Sequence, residues 1–316
     1  RAGSSVCPSS EAVCSQLLQW LALCERFSVD VRARVEVLPK HIVQRTMGKP
    51  EAYVSEFVGT FFLVLTVGFN VLQNTALAPV SIGSMLMVMI FATGKVSGGH
   101  YNPAVTVGVW LRGNQIDSQT ALSYVLVQVL GGLFAGLTYT SILSASFTIG
   151  PGTGHGMTAA LVVEILFTAA LVFVVLNVAT TMEDQGNWYF GLAIGFTVMA
   201  AAFAIGPVSG AVLNPAVAFG VMVSGYFHAG LGLFKHFAVY AMAQLAGACL
   251  ATGLFYVVRE AELNVAEKEE VIPFYTTSQA VTSPSLPGAH EKLPQIPEMP
   301  ASRSWGAPFS RGATTR

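Results

Sequence analysis

The chain has 316 residues, 53% of them hydrophobic and only 10% charged, with a formal net charge of −1 and a mean hydropathy of +0.59. That balance excludes an ordinary soluble domain, and the near-zero charge, with no basic groove interleaved by aromatics, excludes nucleic acid as a partner. Four cysteines, none in CxxC or other paired-ligand spacing, point to neither a metal site nor a redox centre.

Residues 1–46 are polar apart from a short apolar patch, Leu17 to Cys24, which is too short to span a bilayer. We read them as a disordered or non-native extension ahead of Met47, and not as a signal peptide. Six apolar stretches follow, each near the ~20 residues a helix needs to cross the hydrocarbon core. They are placed at about 51–72, 79–96, 119–142, 158–179, 188–206 and 233–258. The second and fifth are short, and each runs into a copy of one segment: SGGHYNPAVTVG, Ser97 to Gly108, and SGAVLNPAVAFG, Ser209 to Gly220. The first and fourth spans echo each other as well, Glu56-Phe-Val-Gly-Thr60 answering Glu164-Ile-Leu-Phe-Thr168. Each half therefore reads as span, span, half-helix, span. An odd number of crossings inverts the second half relative to the first, the organisation of a pore or transporter. The repeats run over about 47–142 and 158–258, within a channel domain at 47–260.

Proline suits the first position of a helix and pushes the residue before it out of helical geometry. Asn102-Pro103-Ala104 and Asn214-Pro215-Ala216 are thus expected to open half-helices at about 103–111 and 215–223, with the two asparagines as N-caps meeting near the midplane. Their amides and the two positive helix ends would offer donors to a water oxygen and an unfavourable field to a cation. Glu56 and Glu164, carboxylates in mid-span, need partners; the free backbone N–H groups of the two loops are the natural ones, which makes them braces.

Lys49, Lys95, Arg112 and Arg259 fall on one side, whereas the connections near 73–78, 143–157 and 207–230 carry no Lys or Arg. The bias puts both termini in the cytoplasm. Lys235 is the single exception, and 180–187, with Glu183 and Asp184, is neutral. Glycine or alanine pairs spaced by four, Gly132/Gly136, Gly191/Gly195 and Ala243/Gly247, mark close helix approaches. After about residue 260 the tail, 261–316, turns to Pro, Ser and Thr and is expected to be disordered.

The paired Asn-Pro-Ala segments, the EFVGT and EILFT spans and the six-span layout resemble the aquaporin, or major intrinsic protein, family over about 47–258. The resemblance implies an all-α bundle of six transmembrane helices plus two re-entrant half-helices in inverted repeats. It also implies a homotetramer with one pore per subunit in the lipid bilayer, and passive passage of water or small neutral solutes with no cofactor, no metal and no chemistry. Counting by the family's spacing, the selectivity filter falls on Ile82, Ala202, Ala211 and Val217, and His100 lines the pore. Most members have Arg where this chain has Val217, and many water-selective ones have His where it has Ala202. The NPAVAFG string is similar to that of some tonoplast members, and the Asp of glycerol-dedicated members is replaced by Ala218. An apolar, wider filter that passes urea, ammonia, glycerol or hydrogen peroxide beside water is the resulting expectation. A secondary transporter on inverted repeats and a junction protein with closed pores are the alternatives; an enzyme is the weakest, since the spans hold no nucleophile and base at plausible spacing.

Overall fold

A computed structural model describes residues 48–113, 115–184, 187–229, 234–260 and 262. The 1–46 extension and the tail beyond Glu262 lie outside the described residues. Eight helices occur among them: α1 (Pro50–Leu72), α2 (Ala78–Ser97), α3 (Pro103–Arg112), α4 (Ser118–Leu143), α5 (Met157–Thr180), α6 (Phe190–Ser209), α7 (Pro215–Ala229) and α8 (Phe234–Val258). All but α3 and α7 are long and apolar enough to cross a membrane. Their outward faces carry Leu122, Phe134, Leu166 and Phe196, all more than half exposed, as a lipid-facing surface would.

Packing follows the sequence repeat. α1 lies on α4 as α5 lies on α8, α4 holds α7 as α8 holds α3, and α2 meets α6 between the halves. Small residues allow these approaches. A Cβ on Gly132 would stand 2.3 Å from the Ala216 carbonyl oxygen and one on Gly136 2.4 Å from that of Gly220, so α4 and α7 touch backbone to backbone. Gly195 meets the Gly83 carbonyl, and Gly247 that of Ile165, in the same way. Gly132→Ala must push the half-helix aside; an overpacking loss of about 1–3 kcal/mol is expected, read by thermal unfolding in detergent.

Two boundaries differ from the sequence reading. α6 continues to Ser209 with Pro207 inside it; the ring omits one intrahelical bond, to the Phe203 carbonyl, and the helix ends two residues later, where Gly210, at φ 88°, closes it with its N–H on the Gly206 carbonyl. α7 runs six residues beyond the expected 223, to Ala229, whereas α3 stops at Arg112. Asp117 caps α4, accepting from the Thr120 N–H and hydroxyl at 2.9 Å each, and these bonds hold its carboxyl below the usual range.

The end of α3 is clamped from the other side of the chain. Arg112 pairs with Glu262 at 3.1 Å, both nearly buried, donates to the Thr180 carbonyl at 2.9 Å, and lies over the Phe255 ring. Arg259 is neutralised by Glu183 at 2.5 Å and Asp184 at 3.8 Å, so the acidic 180–187 connection sits with this basic end.

Candidate functional site

Between α2 and α3, and again between α6 and α7, the chain leaves helical geometry for a few residues. Gly98 (φ 92°) and Gly210 (φ 88°) end the spans in the left-handed region. Tyr101 (φ 47°) and Leu213 (φ 52°), just before the asparagines, also adopt it without being glycine. Such backbone persists only where surrounding bonds over-determine it.

The carboxylates supply those bonds. Glu56 Oε1 accepts from the Ser97 hydroxyl (2.6 Å) and the His100 N–H (2.9 Å), and Oε2 from the Tyr101 N–H (2.7 Å) and Gln128 Nε2 (2.8 Å). Glu164 repeats the set with the Ser209 hydroxyl (2.7 Å), Val212 N–H (2.8 Å), Leu213 N–H (2.8 Å) and Gln244 Nε2 (2.9 Å). Each carboxylate receives four hydrogen bonds and gives none. Sequence reasoning found the two glutamates and missed their glutamines. It also missed Tyr124 and Tyr240, whose hydroxyls donate to the Ser97 and Ser209 carbonyls at 2.8 and 2.9 Å. The signal was present: Tyr124-Val-Leu-Val-Gln128 and Tyr240-Ala-Met-Ala-Gln244 put the same two side chains one turn apart in corresponding spans.

Beyond the braces lie the caps. Asn102 Oδ1 accepts from the Ala104 N–H and Asn214 Oδ1 from the Ala216 N–H, both at 2.9 Å, with Pro103 and Pro215 opening the helices. The amide nitrogens cross over: Asn102 Nδ2 donates to the Leu213 carbonyl and Asn214 Nδ2 to the Tyr101 carbonyl, again at 2.9 Å. Two half-helices are thereby joined N-terminus to N-terminus, each asparagine keeping one amide hydrogen beyond those two bonds.

Both asparagines line a cavity of about 200 Å³ together with His100, Ile82, Ala202, Ala211 and Val217. The four residues reached by counting are therefore brought together. Gly83 and Phe203, one residue on from Ile82 and Ala202, lie elsewhere: Gly83 packs on Gly195, and Phe203 is 53% exposed on the outside. His100, almost fully buried, holds Nδ1 3.1 Å from the Thr106 hydroxyl and sets its ring edge-on to Tyr124. One wall was not foreseen. Phe147, Thr148, Ile149 and Gly150, from the connection between α4 and α5, also line the cavity.

A family model described as Major intrinsic protein matches residues 44–253 and 192–284. The chain belongs to the major intrinsic protein family. It is 36% identical over 211 residues to "Glycerol uptake facilitator protein-like 6" of Lactiplantibacillus plantarum, covering 63% of this chain and 94% of that one. Over 231 residues it is 30% identical to nodulin-26 of Glycine max, covering 70% and 82%. The X-ray structure of the aquaglyceroporin from Plasmodium falciparum superposes with a TM-score of 0.58 at 21% identity, covering 68% of this chain and 99% of that one, which shows the shared fold. This member of the family is a multi-pass integral membrane protein and a passive channel, not an enzyme.

Proposed function

We propose that the channel conducts water together with small neutral solutes such as urea, ammonia, glycerol or hydrogen peroxide, through a filter that lacks a cationic side chain. The observation that carries this reading is the convergence of Ile82, Ala202, Ala211 and Val217 on one cavity. None of the four has a polar side-chain atom, so a solute meets hydrocarbon there, with no fixed charge and no guanidinium narrowing the ring. The similarity to a protein named for glycerol uptake favours solutes larger than water. His100, Asn102 and Asn214 supply the polar groups further along the path, and Glu56 and Glu164 hold the loops that carry them. In this reading residues 47–260 form the channel domain, and Lys49, Lys95, Arg112 and Arg259 mark the cytoplasmic side.

The test is a side-by-side vesicle assay of water, urea, glycerol, ammonia and peroxide flux with wild type and Val217→Arg. Wild type is expected to pass the larger solutes with a rate linear in concentration, and the Arg variant to lose urea and glycerol flux by about tenfold or more while water flux changes far less. Saturation with solute would instead indicate a transporter. A wild type passing water alone, with an Arg variant of the same profile, would put the restriction elsewhere.

A further inference from the structure

We propose that His236, on the first turn of α8, sets the width of the constriction by anchoring the segment Phe147–Gly150 as an additional pore wall. The inference rests on the reading of the cavity as the conduction path. It concerns a residue that neither lines the cavity nor belongs to the filter.

Irregular backbone beside a membrane pore needs fixed partners for its polar groups. Ile82, Ala202, Ala211 and Val217 offer no side-chain donor, so they cannot hold this segment. Two other contacts do. The Gly152 N–H donates to the Val208 carbonyl at 2.9 Å, near the end of α6. A Cβ on Gly152 would fall 1.8 Å from the Pro207 carbonyl oxygen, so the connection passes there backbone against backbone. The second contact is His236, whose Nδ1 lies 3.0 Å from the Ile149 carbonyl oxygen. A carbonyl only accepts, so Nδ1 carries the proton. The ring also backs the next residue: a Cβ on Gly150 would stand 3.6 Å from Nδ1.

Ile149 itself is buried in the same apolar cluster as Val217, Val221 and Tyr240. The bond therefore fixes a wall residue from its backbone side while its side chain belongs to the apolar cluster that contains the filter's own Val217. It is no by-product of the repeat. In the first half the corresponding position, four residues before Tyr124 as His236 is four before Tyr240, is Thr120, whose hydroxyl is turned to Asp117.

Proteoliposomes carrying His236→Phe, His236→Asn and wild type, matched for protein content, give the test by stopped-flow glycerol, urea and water flux. Phe keeps a ring and removes the donor; Asn places an amide N–H where Nδ1 stands. The Phe variant is expected to raise the glycerol-to-water and urea-to-water permeability ratios by roughly fivefold, the population shift that the loss of one net hydrogen bond produces. The Asn variant is expected to return both ratios to the wild-type values. Should the Phe variant not reach the membrane, His236→Leu, which also lacks a donor, replaces it in the same contrast with Asn. Equal ratios in the donor-lacking and Asn variants, or ratios unchanged from wild type throughout, overturn the role of His236 and leave the apolar filter standing. A wild type that excludes every solute overturns the filter reading instead. The His236 role then stands if the Phe variant alone gains solute flux, and falls if it does not.

Discussion

Replacing Glu56 with alanine is expected to remove both flux and most of the folded protein. The fully buried Glu56 carboxylate is the only acceptor described for the His100 and Tyr101 N–H groups, and it also takes the Ser97 hydroxyl and Gln128 Nε2. Each donor left unpaired away from water costs about 1–3 kcal/mol, so losing the acceptor of four approaches the whole ~5–15 kcal/mol by which a protein is stable. Tyr101 loses, in addition, the bond that holds it at φ 47°. Glu56→Gln does not repair the damage, because one of its two atoms is an NH₂ facing donors. Glu164→Ala should behave alike through Val212 and Leu213. Lys95→Ala, at an exposed position, is the control and should fold and conduct normally. Membrane yield, size-exclusion profile in detergent and water flux measure the outcome; normal yield and flux in both Glu→Ala variants would remove the bracing role.

The site was legible in the sequence to the extent that its chemistry is repeated. Asn-Pro-Ala and the mid-span glutamates each occur twice in inverted halves, and proline dictates the local geometry of its predecessor regardless of what packs nearby. The glutamine and tyrosine partners repeat as well, but a polar residue among apolar ones reads as ordinary variation until its distant acceptor is seen. Ile149 and His236 were not legible at all. Their contact joins the α4–α5 connection to the first turn of α8 through a bond between side chain and backbone, and no periodicity reports it. The same holds for Glu262, which packs on Arg112 from a stretch whose composition read as tail. Helix limits were read to within a few residues except at α7, which runs on through Ser224 and Gly225, a pair that reads as a stop after 223.

Asn102→Asp and Asn214→Asp are expected to change what the channel excludes as well as how fast it conducts. In the wild type each amide nitrogen donates to a carbonyl of the opposite loop, Leu213 or Tyr101. A carboxylate oxygen placed there meets that carbonyl as acceptor against acceptor, and the cross-tie between the half-helices is lost. The cap itself survives, since the other oxygen still accepts from Ala104 or Ala216. The positive helix ends favour the new negative charge, so the carboxylate stays ionised beside the path. A cation passing at ~6–8 Å then gains about 2–3 kcal/mol at an effective dielectric near 20. That is roughly a hundredfold in occupancy, enough to offset much of the field that the two helix ends present. Water flux should fall in both variants because the loop junction loosens and one donor to the passing oxygen disappears, while cation conductance across planar bilayers should rise. The double variant should show the larger conductance. If water flux and ion conductance in both single variants matched wild type, exclusion would have to arise from the apolar constriction at Val217 and not from the paired caps.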